Sequence, residues 1–284
     1  MACATLFLLF TSQRSGSTWT CQVLDSQSGV TCGVPNPRSP TSTTSEMMIG
    51  YSRRYPGDGV SWDAWRADAE RAFDALRRAA PAASTACGFK LMRDQVPRAL
   101  VPRFLDWLAA RRIRVAHLVR EASILRLASH VAAEGSIHSN DPARVAETRR
   151  GAKMRWRAAG AVAAAVRDIE RGNDWWHERL QFHPRLVYHY VAYESLVGDG
   201  AAAYAADVVR FLGPRAAADP FALVDGGLLA LHERACADRV ERFDALAPFL
   251  NGTRCEAACA QLANRSLPGL PPPEHREGRC NICV

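Results

Sequence analysis

The sequence predicts a three-layer α/β fold in which a central parallel β-sheet is flanked by helices. Short apolar, β-rich runs alternate along the 284 residues with longer segments whose apolar residues recur every three to four positions. Strands that alternate with helices favour parallel pairing through helical crossovers. Folds of this class bind ligands at the carboxyl ends of their strands. The loops that follow the strands are therefore the first places to look for function.

The predicted strands are short and apolar. ATLFLLF at 4–10 shows no polar alternation, as expected of a strand that is buried on both faces. The next β-rich runs are ACGFKLM at 86–92, IRVAHLV at 113–119 and LVYHYV at 186–191.

The predicted helices lie between these strands. A helix is expected to begin at 17–24, and the segments 61–79 and 96–112 each carry one apolar face opposite a charged one. The Ala- and Arg-rich segment 143–180 predicts one or two helices, with RRGAKMRWR as a solvated or ligand-facing basic face.

We interpret residues 1–265 as a single domain. A Pro- and Ser-rich stretch near 36–45 predicts an exposed insertion or a flexible lid. The polar, Pro-rich residues 266–284 predict a flexible tail.

Composition excludes several classes of function. The formal charge of +7 is carried mostly by scattered arginines, which disfavours nucleic-acid binding. No apolar run approaches the roughly 20 residues of a membrane span, so a soluble protein is expected. The nine cysteines resemble neither a disulfide framework nor a paired zinc pattern. Asn251-Gly-Thr and Asn264-Arg-Ser match glycosylation acceptors, which matter only in a secreted chain.

The loop TSQRSGSTWT at 11–20 is the first candidate anion site. A strand, a tight loop and a helix start leave backbone N–H groups free at the positive end of the helix dipole, where a tetrahedral anion binds. Arg14 and the hydroxyls of Ser15, Ser17 and Thr18 add further donors. A nucleotide P-loop is not matched, because no Lys follows Gly16 and no earlier Gly stands in the required position. A Ser-rich turn before a helix remains the alternative.

A second candidate anion site follows the strand at 113–119. Arg120 stands directly after this strand, and Ser129 lies on the next predicted helix. Nine helical residues span about 13 Å, so the two can share a ligand only if Arg120 reaches across from the strand end. The alternative is that both side chains are simply solvated.

Together these segments resemble the sulfotransferase family. RSGSTW after the first strand, GFKLM, HLVREASILRLASH, and VAYESL followed by VVRFLG occur in the family's order. The similarity is greatest to the nodulation-type and carbohydrate branch and runs from Thr5 to Thr253, where VERFDALAPFLNGT is similar to that branch's terminal helix and Gly-Thr turn. The resemblance implies a P-loop-NTPase-like sulfotransferase fold.

The resemblance also implies a donor, 3′-phosphoadenosine 5′-phosphosulfate (PAPS), and no metal. Arg120 and Ser129 match the pair that grips the 3′-phosphate. The residues that match the cradle of the 5′-phosphosulfate are Arg14, Ser15, Gly16, Ser17, Thr18 and Trp19.

The resemblance implies two catalytic residues. Lys90 in GFKLM matches a lysine that could protonate or polarise the bridging oxygen; otherwise it is a surface lysine that closes a strand. Cytosolic members carry a histidine base two residues further on, where this chain has Met92. The carbohydrate and bacterial branches place a glutamate downstream of the first helix, and Glu46 in SEMMIG is expected to be the base.

Other polar residues near these motifs are expected to be structural. His117 lies within a strand and His130 lies beyond the second anion site. In VAYESL, Tyr193 is expected to pack and Glu194 to pair with a basic neighbour.

The sequence therefore predicts a sulfotransferase that acts on a hydroxyl, with a carbohydrate or glycolipid acceptor. One rival is a nucleoside or small-molecule kinase of related fold, and another is a non-catalytic nucleotide-binding protein. No nucleic-acid partner and no membrane segment in this chain are expected. The cytoplasm is favoured over the Golgi lumen, where carbohydrate members of the family sit behind a membrane anchor.

Overall fold

A computed structural model of the chain describes residues 3–36, 39–44, 47–48, 60–134, 154–196, 201–213 and 236–263. The strands are β1 Thr5–Thr11, β2 Val30–Cys32, β3 Val34–Asn36, β4 Ser39–Thr44, β5 Ala86–Met92, β6 Arg114–Val119 and β7 Tyr188–Ala192. The helices are α1 Ser17–Asp25, α2 Trp62–Ala79, α3 Val101–Ala110, α4 Ser123–Glu134, α5 Ala159–Gln181, α6 Tyr193–Leu196, α7 Ala201–Leu212, α8 Cys236–Arg239, α9 Phe243–Leu246 and α10 Arg254–Ala263. Short 3₁₀ turns lie at Arg93–Gln95, Arg98–Leu100 and Ala247–Leu250.

The central sheet has five strands in the order β2-β5-β1-β6-β7, and each neighbouring pair is parallel. This confirms the predicted α/β class with a central parallel sheet. Strand β1 lies in the middle, between β5 and β6. The loop after β1 therefore opens where the strand order reverses, which is the usual ligand position in such sheets.

Each face of the sheet is covered by its own apolar cluster. On one face Leu8 and Phe10 pack with residues of α2, α3 and α5, and the ring centroids of Phe10 and Trp176 lie 4.7 Å apart. On the other face Phe7 and Leu9 pack with α1 and α7. The alternation along β1 thus fixes which helices cover which face and supports the three-layer arrangement.

Local sequence explains the best-predicted helix. The apolar residues of α2 recur at helical spacing, and Trp65, Phe73 and Leu76 are buried. The Ser61 hydroxyl accepts a hydrogen bond from the Ala64 N–H at 3.2 Å and so caps the first turn.

The stretch near 36–45, predicted as an exposed insertion or a flexible lid, contributes to β3 and β4, which pair antiparallel. The predicted helical segment 143–180 differs in part from the structure. Helix α5 begins at Ala159, and within 154–158 the chain is not helical, since Met154 forms an isolated bridge with Val240. The remaining residues of the basic run, 149–153, lie outside the described ranges.

The expectation that the cysteines form no disulfide framework is wrong. Disulfides join Cys3 to Cys87, Cys21 to Cys32, and Cys236 to Cys259. The sequence separations are 84, 11 and 23, so the pairs depend on which elements become neighbours in space rather than on spacing. Cys255 is buried and unpaired, and Cys280 and Cys283 lie outside the described residues.

Candidate active site

Gly16 is the residue at which the loop after β1 turns into α1. Gly16 has φ 80° and stands at the N-terminus of α1, where no side chain caps the helix. A Cβ atom at this position would lie 2.1 Å from a ring carbon of Tyr193, so a glycine is required by both the backbone and the contact. Gly16 offers no side chain to cap α1, and the positive end of the helix dipole at this point suits an anion.

The hydroxyl groups of this loop have different surroundings. The Ser15 hydroxyl donates to the Ser12 carbonyl at 2.8 Å, so its hydrogen is already used in a hydrogen bond within the turn. Ser17 is buried, whereas Thr18 is exposed. Trp19 is buried and its ring lies edge-on to Tyr193, with centroids 5.8 Å apart. Trp19 therefore contributes packing beneath the loop.

Lys90 lies beside the start of α1. It is 5% exposed in the middle of the sheet, next to Leu9 in the strand register. Its Nζ donates to the Thr18 Oγ1 at 3.0 Å. The alternative of a surface lysine is therefore wrong, and the ammonium group adds positive charge where the helix begins.

Arg120 joins the two predicted anion sites. Its Nη1 donates to the Arg14 carbonyl at 3.4 Å, and its guanidinium lies 5.2 Å from the centroid of the Tyr193 ring. Its Nε is buried and has no hydrogen-bond partner in the described part of the chain. A buried N–H without an acceptor is costly, so this atom needs a ligand oxygen or water.

Glu194 fixes the segment that follows Arg120. Its two carboxylate oxygens accept from the backbone N–H groups of Glu121 and Ala122, each at 3.0 Å. Burial raises the pKa of this carboxyl, although the nearby Arg120 charge opposes the rise. These contacts are structural, but they are made to backbone N–H groups, whereas the sequence predicts pairing with a basic side chain.

Arg126 is a site residue that the sequence reasoning missed. Its Nε donates to the Gln13 carbonyl at 2.9 Å, and its Nη1 is buried without a partner among the described residues. Burial, followed by the charge of Arg93, lowers the pKa of Arg126 to about 10. The available signal was its position on α4, one helical turn before Ser129.

Ser129 is half-buried on α4, and the described residues offer its hydroxyl no hydrogen bond. The structure gives no direct contact between Ser129 and Arg120. Arg126 lies between them in the chain and is the residue that contacts the loop after β1.

Arg93 and Asp94, which follow β5, lie at the same carboxyl edge of the sheet as the loop after β1. Arg93 Nη1 donates to the Asn173 Oδ1 at 3.2 Å, and burial lowers the pKa of Arg93. The Asp94 carboxylate accepts from the Gln13 Nε2 at 3.0 Å. The carboxyl ends of β1, β5 and β6 thus bring four arginines to one edge, namely Arg14, Arg93, Arg120 and Arg126.

Comparison with known proteins gives limited further information. No protein-family model matches the chain. No curated protein matches it either. Similar solved structures include a sulfotransferase domain from the olefin synthase of Synechococcus PCC 7002, with a TM-score of 0.38, 13% identity, and coverage of 95% of this chain and 91% of that chain. The fold class rests on the sheet itself and not on this loose superposition.

Glu46 lies outside the described residues, although Met48 is buried in the apolar cluster that contains Phe10. His130 is exposed on α4.

His117 is buried on β6, and its Nδ1 lies 3.2 Å from the Tyr188 hydroxyl. Burial, followed by the charge of His177, lowers the pKa of His117 to about 3. A histidine that stays neutral in this way fits the structural role expected for it.

Within the described ranges, no group of three or more His, Cys, Asp or Glu side chains could hold a metal ion. In the same ranges, no helix is long and apolar enough to cross a membrane.

Proposed function

We propose that this protein is a sulfotransferase that moves the sulfuryl group from PAPS to an acceptor hydroxyl. The observation that carries the proposal is the uncapped start of α1, with the buried Lys90 ammonium 3.0 Å from Thr18 and the Arg120 side chain beside the same loop. A cluster of cations at the N-terminus of a helix is suited to a ligand with several anionic oxygens.

The loop after β1 is suited to the 5′-phosphosulfate. The backbone N–H groups of α1 and the Arg14 guanidinium would bind its equatorial oxygens. Lys90 would stabilise charge on the bridging oxygen as the sulfur–oxygen bond breaks, because its ammonium lies at the helix start. In a loose in-line transfer, this positioning and charge stabilisation supply most of the catalysis.

The 3′-phosphate would lie against α4. The family resemblance assigns it to Arg120 and Ser129, and the buried, unpartnered atoms Arg120 Nε and Arg126 Nη1 support a phosphate at this position. Arg126 would therefore join the pair expected from the sequence. Two separate anion sites suit a nucleotide that carries phosphates on both its 3′ and 5′ oxygens.

Glu46 is proposed as the base that accepts the proton of the acceptor hydroxyl while the new oxygen–sulfur bond forms. A carbohydrate or glycolipid acceptor follows from the branch resemblance alone. Asp94 is a carboxylate at the same sheet edge, hydrogen-bonded to Gln13, and serves as the comparison in the test.

Ligand binding tests the donor. Adenosine 3′,5′-bisphosphate should raise the Tm of the protein, whereas ATP with magnesium should not. The reverse result would favour a kinase. Binding of the bisphosphate without transfer of labelled sulfate to any acceptor in a broad panel would favour a non-catalytic protein.

Turnover then tests the catalytic residues. Lys90→Met should lower the rate of sulfuryl transfer by about 10²–10³-fold, as expected for loss of one preorganised donor, with little change in bisphosphate binding. Glu46→Gln should also slow transfer and leave binding intact, whereas Asp94→Asn should be much less affected. A Glu46→Gln variant that turns over at the wild-type rate would reject Glu46 as the base.

A further inference from the structure

The surface turn before α10 exposes an asparagine in an Asn-Gly-Thr sequence. Asn251 and Gly252 are exposed, and the backbone turns so that the Thr253 N–H donates to the Leu250 carbonyl at 3.0 Å. Gly252 has φ +74°, and a Cβ atom built on it meets nothing within 4 Å. The Asn251 side chain makes no hydrogen bond to the described part of the chain, so its amide is open to solvent.

The residues on both sides of Asn251 hold this turn in place. Leu250 is buried, and the Thr253 hydroxyl donates to the Leu250 carbonyl at 2.6 Å. The same hydroxyl accepts from the Glu256 N–H at 3.2 Å at the start of α10. Arg167 Nη2 donates to the Phe249 carbonyl at 3.0 Å. Asn251 is thus presented outward from a rigid support.

An exposed aromatic ring lies two residues before Asn251. Phe249 is 48% exposed, and the other exposed large apolar side chains in the described chain are Phe182 and Val187. A group attached to Asn251 could cover this ring, since the apolar face of a sugar packs well against an aromatic face. The exposed ring and the exposed amide are thus two residues apart in the chain.

The disulfides supply an independent observation about compartment. Six cysteines pair in the described chain, and disulfides of this kind persist in oxidising compartments such as the endoplasmic reticulum lumen and the cell exterior. This favours a lumenal or extracellular protein over a cytoplasmic one. Asn-x-Thr acceptors are modified in the same compartments.

We propose that Asn251 carries an N-linked glycan whose first sugar lies over Phe249. The co-reactant is a lipid-linked oligosaccharide diphosphate. The Asn251 amide nitrogen forms a bond to the anomeric carbon of the sugar, the bond from that carbon to the diphosphate breaks, and the amide loses one proton. The proposal does not depend on the sulfotransferase assignment.

Peptide mass spectrometry of the protein isolated from its own cells tests the attachment. After enzymatic removal of N-glycans in heavy-oxygen water, the peptide that carries Asn251 should contain a labelled aspartate at this position, and the same incubation without the enzyme should not label it, because Asn-Gly also deamidates spontaneously. An Asn251 that is unmodified in the disulfide-bonded protein would overturn the proposal.

Variants expressed in the same cells add a mobility test. Asn251→Gln should remove one glycan from the protein on a gel. Thr253→Ser should retain it, because the serine keeps both the acceptor sequence and the hydroxyl that caps α10. Asn264→Gln is the matched control, because it removes the second acceptor sequence. Asn251→Gln should change the mobility whether or not Asn264 is also replaced.

The contact with Phe249 is tested by thermal denaturation. Enzymatic removal of the glycan should lower the Tm of the wild-type protein by about 2 °C, and should have a smaller effect on Phe249→Ala, because the covered ring is then absent. Equal losses of Tm in the two proteins would contradict the contact between the glycan and Phe249. The attachment to Asn251 is tested separately by mass spectrometry.

Discussion

At the scale of single residues, Arg126 has the most informative surroundings. One end of its guanidinium is fixed by the Gln13 carbonyl, and the buried Nη1 has no partner within the described ranges. Burial, followed by the charge of Arg93, disfavours the protonated form of Arg126 and lowers its pKa. A bound anion would relieve both costs at once.

We expect Arg126→Ala to weaken the binding of adenosine 3′,5′-bisphosphate by about 10- to 100-fold, the value of one charge-assisted hydrogen bond. Isothermal calorimetry on the folded variant measures this. Arg103→Ala removes the same charge from an exposed position on α3 and should leave the Kd unchanged. Equal losses of affinity in the two variants would mean that only the net charge of the protein matters.

At the scale of elements, the connection from β1 to α1 depends on Gly16. An alanine there should cost about 1–3 kcal/mol for its left-handed backbone and a further cost of about 1–3 kcal/mol for the clash with Tyr193. Urea denaturation should show this loss of stability.

Two other glycines separate these costs. Gly252 has a similar positive φ but open space around it, so Gly252→Ala should lose only the stability that the left-handed backbone costs. Gly160→Ala in the first turn of α5 has neither problem and should change stability by less than about 0.5 kcal/mol. If Gly16→Ala were no worse than Gly252→Ala, the contact with Tyr193 would carry no energetic weight.

The stability of the protein should depend on pH, because α5 packs on β6 and β7 and His117 on β6 is buried. His117 has a pKa near 3 in the folded protein and an ordinary value of 6.5, so folding holds it neutral. Its contribution to stability is present above pH 6.5 and is lost as the pH falls from 6.5 towards 3, because the unfolded chain then binds a proton that the folded chain does not.

A His117→Gln variant should therefore lose less Tm than the wild type between neutral and mildly acidic pH, whatever its stability at neutral pH. His177→Gln is the matched comparison, since burial also lowers the pKa of His177 and both rings contact Tyr188. Parallel Tm curves for the wild type and His117→Gln would contradict this explanation.

Elements with a strong local pattern could be predicted from the sequence. The β-rich run 86–92 is β5 with the same bounds, and the helical periodicity of 61–79 yields α2. The roles of individual residues were less accessible, because Lys90 becomes a buried neighbour of Thr18 only when β5 pairs beside β1. The position of Arg126 at the site depends on its contact with the Gln13 carbonyl, which lies 113 residues away in the chain.

At the scale of the whole molecule, the disulfides close loops of very different length. Cys3 and Cys87 connect the start of β1 to β5 across 84 residues, whereas Cys21 and Cys32 connect α1 to β2 across 11 residues. The cysteines could not be paired from spacing, because the pairing follows from the strand order. The two bridges should therefore constrain the unfolded chain to different extents.

Removing the Cys3–Cys87 bridge with paired alanines should cost about 4.5 kcal/mol, and removing the Cys21–Cys32 bridge about 2.7 kcal/mol, because loop-closure entropy grows with the length of the closed loop. Urea denaturation of each double variant measures the two losses. Cys255→Ala, which breaks no bridge in the described structure, controls for the loss of a buried sulfur. A larger loss from the shorter bridge would show that strain or residual structure, rather than chain entropy, sets the contribution of these disulfides.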